Sequence, residues 1–179
     1  MSKIYTKSGD DGLTTVANNR RVKKHSDMIE LYGCIDELNV FLGYAAESFC
    51  EIQNFRDMFK QIYRIQSELF ELGSNLLSSN TFAINPHKIS QLEIEIDSMS
   101  ERLPILKSFI LPGGGECALR IYLARTACRR TERAAFKLAE SNKNAQIIGV
   151  YFNRLSDWLY TAARTAALIL NVEEALVSK

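Results

Sequence analysis

The three prolines of this 179-residue chain separate long stretches of helical sequence. Pro86, Pro104 and Pro112 each fall where an apolar spacing of three and four residues stops. Proline removes a backbone donor and clashes with the preceding helical turn, so long stretches that keep this period without proline indicate helices. The chain is therefore expected to be largely helical.

Five stretches share the helical period, and the first has Ser26 at its start as a predicted helix cap. Their approximate bounds are 26–49, 54–78, 86–103, the stretch that follows the glycines at 113–115, and 145–170. Short connections and heptad-like apolar seams favour an antiparallel five-helix bundle, and no strand pattern of any length competes with it. Residues 1–24 have no sustained period and predict an extended loop. We expect a single domain over 1–179, with this loop ahead of a bundle formed by 25–179.

Composition narrows the class of protein. Hydrophobic residues make up 46% of the chain and charged residues 24%, as in an ordinary globular protein. A net charge of +1 argues against nucleic-acid binding driven by the electrostatic field of the whole protein. No signal peptide is evident and no apolar run approaches the length of a membrane span, so a cytoplasmic protein without a membrane partner is expected.

The four cysteines do not form a metal site in the sequence. Cys34, Cys50, Cys117 and Cys128 include no CxxC pair and no histidine at ligand spacing. We expect reduced thiols, with Cys34 and Cys128 packed as small apolar side chains. No catalytic triad or protein metal centre can be assembled either.

A row of arginines on the fourth helix is the strongest functional signal. Helical spacing puts Arg125, Arg129 and the pair Glu132–Arg133 on one stripe. Like charges one turn apart cost a few tenths of a kcal/mol, so folding alone does not favour them. An anion is expected in front of them, either a carboxylate on another helix or a polyphosphate, which guanidinium groups bind in a bidentate manner. The alternative is a solvated basic face with internal salt bridges.

The N-terminal loop is a second candidate. Gly9 and Gly12 allow the backbone to curl, and Lys7 with neighbouring hydroxyls supplies donors suited to phosphate oxygens. The spacing is not that of a Walker A loop, and an ordinary Gly/Asp turn is the alternative. A basic run that ends at Lys24 follows a few residues later.

Two further polar stripes accompany these features. On the first helix, Tyr32, Asp36 and Asn39 run beside the apolar seam, and a carboxylate at Asp36 would need a partner such as Arg125 or Arg129. The alternative is that Asp36 and Glu37 are both surface residues, and Glu37 is expected to be one. The fifth helix is predicted to have a polar face opposite Leu155, Trp158 and Leu159. The residues that share this face are Asn153, Ser156, Asp157, Tyr160 and Arg164. Simple solvation is the alternative for that face.

These blocks occur together in a known order. They read IYTKSGDDGLTT at the start, RVKK at 21–24, YGCIDELN on the first helix, FILPGG at 109–114, ARTACRRTER on the fourth helix and YFNRLSDWLYTAAR on the fifth. In these motifs the chain resembles the PduO-type ATP:cob(I)alamin adenosyltransferases. The resemblance implies a five-helix bundle that assembles as a homotrimer and binds ATP, Mg²⁺ and a corrinoid at subunit interfaces. The 5′-deoxyadenosyl group of ATP would pass to Co(I) of the reduced corrinoid, with release of triphosphate.

The resemblance also implies roles for single residues. The ATP loop would comprise Thr6, Lys7, Gly9, Asp10 and Thr14. Lys24 and Arg129 would bind the polyphosphate, with Glu132 and Asn153 completing the nucleotide site. Asp36 and Arg125 would form a salt bridge between subunits. Phe109 would help to displace the lower axial ligand of the corrinoid.

The implied chemistry agrees with the residues present. Co(I) is itself a strong nucleophile, so the protein has to position ATP and bind the leaving triphosphate rather than supply a nucleophile. The sequence departs from the family pattern at Ser8, Met28, Tyr122 and Gly115, where Thr, Arg, His and Ser are common. The changes at Met28 and Tyr122 bear on ligand affinity.

Other functions stay open at this stage. A sensor or cofactor-delivery protein on the same scaffold would bind ATP or corrinoid with little turnover. An unrelated helical interaction protein would use the arginine stripe for an acidic partner, but would have no use for the N-terminal loop. Candidate partners of an adenosyltransferase are a corrinoid reductase and an adenosylcobalamin-dependent enzyme.

Overall fold

A computed structural model describes residues 3–49, 51–78, 84–106 and 108–177, and these residues form a five-helix bundle. The helices are α1 Asp27–Glu47, α2 Arg56–Ser78, α3 Pro86–Ser100, α4 Gly115–Ser141 and α5 Gln146–Ile169. The all-α prediction is confirmed, and the predicted bounds are correct to within a few residues. The largest difference is at the end of α3, which stops before Leu103.

Local sequence explains where two of these helices begin. At α3, Asn85 precedes Pro86, and its side chain accepts a hydrogen bond from the His87 N–H at 3.0 Å. At α4, Gly114 has a φ of 85°, and a Cβ there would lie 2.6 Å from the Cβ of Ala167. Only glycine fits this position, because it tolerates positive φ and lets the start of α4 approach α5 closely.

The apolar core lies between neighbouring helices in the spatial order α2, α1, α4, α5, α3. Trp158, Tyr151 and Phe152 of α5 are fully buried in it. The apolar side chain of Val150 is exposed, because it lies roughly 140° around the helix from Leu155. No helix of the described residues is long and apolar enough to cross a bilayer.

A partly buried polar network joins α2 and α3 to α5. Arg64 of α2 binds Glu95 of α3 at 2.9 Å and Glu68 of its own helix at 2.6 Å. Two buried aromatic side chains of α5 donate to these carboxylates: Tyr151 Oη to Glu68 at 2.9 Å and Trp158 Nε1 to Glu95 at 2.8 Å. The network fixes the rotation of α5 against two other helices.

The N-terminal region contains a small hairpin ahead of α1. Strand β1 covers Leu13–Thr15 and pairs antiparallel with β2, Arg21–Lys23. Asn18 and Asn19, both with positive φ, form the turn between them. The expectation that no strand would form is therefore wrong. Three-residue strands are too short to show an alternating pattern in the sequence.

Candidate functional site

The arginine stripe of α4 has no carboxylate partner among the described residues. Arg129 and Arg133 are exposed and Arg125 is half-buried. Arg133 Nη1 donates to the backbone oxygen of Arg129 at 2.9 Å. By contrast, Arg130 lies off the stripe and pairs with Glu37 of α1, which is exposed as predicted. The stripe is thus an uncompensated cationic face, and within the described chain the alternative of internal salt bridges is wrong.

A hydrogen bond joins two of the predicted nucleotide-site residues across the α4–α5 seam. Asn153 Nδ2 donates to Glu132 Oε1 at 2.9 Å. Glu132 lies one turn beyond Arg129, so the pair borders the cationic face. The two helices pack closely here because Gly149 of α5 admits the ring of Phe136, which a Cβ would approach to 2.8 Å.

Arg125 lies beside two aromatic residues. Its guanidinium is 5.4 Å from the centre of the Tyr160 ring, and its buried Nε has no hydrogen-bond acceptor among the described residues. The ring of Tyr122 packs against Tyr160 with centroids 6.3 Å apart. The buried hydroxyl of Tyr122 likewise has no partner among the described residues, and burial raises its pKa to about 12. The hydroxyl therefore stays protonated at neutral pH.

The N-terminal loop brings Lys24 onto Gly9. A Cβ on Gly9 would lie 2.8 Å from the Lys24 ammonium nitrogen, so the absence of a side chain there makes room for the amine. The backbone N–H of Lys24 donates to the carbonyl of Gly12 at 3.0 Å, and Gly12 has a φ of 79°. Two predicted phosphate-site residues, Gly9 and Lys24, are thus adjacent.

Arg21 of β2 holds this loop closed through its side chain. Its Nη2 donates to the Ser8 carbonyl and to the Asp11 carboxylate, both at 2.8 Å. The Leu13 N–H and then Arg21 lower the pKa of Asp11. With the loop closed in this way, the side chains of its other predicted site residues are exposed or half-buried: Thr6, Lys7, Asp10 and Thr14.

A groove beside Asp36 was not predicted. It has a volume of about 350 Å³ and is formed by α1 and α2 with Ala17 at one end. Its α2 wall includes Leu69, Gly73 and Phe70, whose side chain is 76% exposed. Asp36 is exposed at the groove, and no hydrogen bond or ion pair of the described residues joins it to Arg125. Its proposed partner on another subunit stays a prediction.

Phe109 projects from the connection between α3 and α4 and is 86% exposed. The chain beyond α5 holds its backbone: the Val177 N–H donates to the Phe109 carbonyl, and the Leu111 N–H donates to the Ala175 carbonyl, both at 2.8 Å. This C-terminal contact was not predicted, since the last residues carry no motif. Their apolar character was the only signal available.

The polar face predicted on α5 is only partly correct. Asn153 and Asp157 are exposed, but Ser156 and Arg164 are buried. Arg164 is buried because the C-terminal chain and the α3–α4 connection cover it, and it binds Glu174 and the Pro104 carbonyl there.

The cysteines behave as expected where they are described. Cys34, Cys117 and Cys128 are buried free thiols, and burial raises the pKa of Cys34 and of Cys128. Cys50 lies outside the described residues. In the described ranges no three His, Cys, Asp or Glu side chains converge as metal ligands would.

Together these features define a class: a helical-bundle protein with a row of arginines that lack carboxylate partners among the described residues, and with a glycine-lysine loop. Residues 4–166 match the sequence model of the cobalamin adenosyltransferases. The chain belongs to the cobalamin adenosyltransferase family.

Curated relatives and solved structures agree with this assignment. The chain is 39% identical to a corrinoid adenosyltransferase of Bacillus subtilis over 90% of this chain and 85% of the relative. It is 34% identical to the human corrinoid adenosyltransferase MMAB over 100% of this chain and 74% of the relative. Its fold matches a phenylalanine-to-alanine variant of the PduO-type ATP:corrinoid adenosyltransferase from Lactobacillus reuteri, solved with cobalamin and ATP. That match has a TM-score of 0.88 and 30% identity, and covers 99% of this chain and 100% of the other.

Proposed function

We propose that this protein is an ATP:corrinoid adenosyltransferase. It transfers the 5′-deoxyadenosyl group of ATP to Co(I) of a reduced corrinoid and releases triphosphate. The observation that carries the proposal is the arginine face of α4, where Arg125, Arg129 and Arg133 have no carboxylate partner in the described chain. Such a face suits a polyphosphate, which is the leaving group of this reaction.

The proposed reaction needs positioning and charge rather than acid–base groups. Co(I) attacks C5′ of ATP, a cobalt–carbon bond forms, and the C5′–O bond breaks. The electron pair of that bond leaves with the triphosphate, and cobalt becomes Co(III). Arg129 and Lys24 bind the developing negative charge on the leaving group, which lowers the barrier electrostatically. Glu132 and Asn153, whose side chains are hydrogen-bonded to each other, orient the nucleoside.

The N-terminal loop provides the second half of the proposed ATP site. Gly9 exposes backbone beside the Lys24 amine, and the hydroxyls of Thr6 and Thr14 with Lys7 offer further donors. Asp10 is exposed in the same turn. Mg²⁺ would arrive with ATP, because this ion keeps much of its water and is usually bound through substrate phosphates.

The corrinoid is proposed to lie where Phe109 projects. An exposed aromatic side chain on a hydrogen-bonded backbone can enter the lower face of a corrinoid and exclude both water and the axial ligand. Co(II) without that ligand is easier to reduce. In a homotrimer, Arg125 would meet Asp36 of a neighbouring subunit and close the site between subunits. The trimer, the cytoplasmic location, the division of the chain at residue 24 and a reductase or acceptor-enzyme partner remain predictions.

An anaerobic assay tests the function. The protein is mixed with ATP, Mg²⁺ and chemically prereduced cob(I)alamin, and the loss of Co(I) absorbance is followed. We expect adenosylated product and triphosphate in equal amounts. ATP binding by calorimetry without product would contradict the transferase and favour the sensor or delivery protein.

A further inference from the structure

Arg164 connects three separate parts of the chain. It projects from α5, is 7% exposed, and donates from Nε to Glu174 Oε1 at 3.1 Å. Its Nη2 donates to Glu174 Oε2 at 3.2 Å and to the Pro104 carbonyl at 2.9 Å. Glu174 belongs to the chain beyond α5, and Pro104 belongs to the connection that carries Phe109. The buried guanidinium of Arg164 therefore binds both the C-terminal chain and the connection between α3 and α4.

The two segments that Arg164 binds also pair with each other. Ile110 and Leu176 form an antiparallel bridge, flanked by the hydrogen bonds of Phe109 with Val177 and of Leu111 with Ala175. Phe109 thus lies at the end of a short antiparallel contact, and the partner segment, residues 175–177, directly follows Glu174.

The other end of the connection is fixed as well. Gly114 packs against Ala167 of α5, three residues after Arg164 in the same helix. The Phe109 segment is therefore attached to α5 at Pro104, through Arg164, and at Gly114. Between these points its position depends on the C-terminal chain. Because Phe109 is 86% exposed, packing of its own side chain contributes little to its placement.

From this geometry we infer that Arg164 and Glu174 are positioning residues that hold Phe109 at the corrinoid through the C-terminal chain. Their side chains are bonded to each other and to the Pro104 carbonyl, and we assign them no contact with ATP or cobalt. Their loss should weaken only the step that depends on Phe109, namely the one-electron reduction of Co(II) to Co(I) by a low-potential electron donor. The inference rests on the proposed function and on the proposed role of Phe109.

The test compares two starting states of the corrinoid with the full-length protein. One assay starts from cob(II)alamin with a low-potential one-electron reductant, and the other starts from prereduced cob(I)alamin. Glu174→Gln weakens the charge-assisted hydrogen bonds to Arg164 and should lower the Co(II)-started rate about tenfold or more. The Co(I)-started rate should fall less than about twofold.

A matched control distinguishes positioning from general stability. Glu93→Gln removes the charge of another ion pair of α5, the more exposed Arg154–Glu93 pair at 2.9 Å, which does not involve the Phe109 segment. It should leave the ratio of the two rates unchanged. Amide hydrogen exchange should become faster at Leu111 and Val177 in Glu174→Gln but not in the control.

Two further variants keep the inference testable if Glu174→Gln folds poorly. Val177→Pro removes the donor to the Phe109 carbonyl without touching the buried ion pair, and should lower the same ratio. In a Phe109→Ala background, Glu174→Gln should add no further loss of the Co(II)-started rate. Equal losses in both assays, or additive losses in the double variant, would overturn the inference. If the wild-type protein gives no product from cob(I)alamin, the proposed function itself has failed.

Discussion

Asn153 of α5 donates a 2.9 Å hydrogen bond to the Glu132 carboxylate of α4 beside the arginine face. The bond fixes both side chains at the border of the arginine face, where we place the nucleoside. The two consecutive helices thereby present one acceptor and one amide group at a fixed separation.

Asn153→Asp should weaken ATP binding about tenfold or more. The new carboxylate would replace the amide donor and repel Glu132, so the two side chains would no longer be held together. Isothermal titration calorimetry with Mg²⁺ and ATP measures the change. Asn144→Asp, which adds the same charge before α5, is the control and should bind ATP like the wild type. Unchanged affinity in Asn153→Asp would remove this pair from the nucleotide site.

Arg129→Ala should abolish turnover while the fold survives. Arg129 is exposed and makes no ion pair in the described residues, so its loss should change the free energy of unfolding by less than about 0.5 kcal/mol. The leaving triphosphate would lose a bidentate partner, which should cost about a hundredfold in rate or more. Arg56→Ala, at the exposed start of α2, provides the matched control. Near-normal turnover by Arg129→Ala would refute the phosphate assignment.

Glu95→Ala should destabilise the protein by about 2 kcal/mol or more, because it leaves the buried Trp158 N–H without an acceptor and removes one of the two carboxylates that Arg64 binds. Urea unfolding followed by fluorescence measures this, since Trp158 is the single tryptophan of the chain. Glu71→Ala removes the more exposed Lys88–Glu71 pair and should cost less than about 1 kcal/mol. Similar costs for the two variants would show that the network does not hold the helices together.

Tyr122→Phe should raise the free energy of unfolding by about 1 kcal/mol at neutral pH, because it removes a buried hydroxyl that has no partner among the described residues. The pKa of Tyr122 is raised from its ordinary value of 10 to about 12. Between these values the unfolded chain loses this proton and the folded one keeps it, so stability falls as pH rises from 10 to 12.

The variant should lose less stability than the wild type across that pH range in thermal unfolding experiments. Tyr63→Phe, at an exposed tyrosine of α2, is the control and should follow the wild-type curve. If Tyr122→Phe destabilised the protein at neutral pH, its hydroxyl would have a partner and the account of this pocket would be wrong.

The sequence predicted the helices well because each carries its own apolar period over several turns. It also predicted the arginine stripe and the nearness of Asn153 to the fourth helix through the family motifs. It could not predict that Arg164 is buried, since this burial depends on the C-terminal chain. That segment folds back over α5 but has no recognisable pattern in the sequence. The groove beside Asp36 was missed for a similar reason: α2 contributes Phe70 from a face that looks polar in sequence.

The most direct test of the account uses ATP labelled with ¹³C at C5′. The labelled ATP is reacted anaerobically with cob(I)alamin and the protein, and the corrinoid product is isolated and examined by NMR and mass spectrometry. We expect the labelled carbon to be bonded to cobalt and one intact triphosphate to be released for each corrinoid. Label that stays in ATP, or release of diphosphate and phosphate without a labelled corrinoid, would contradict it.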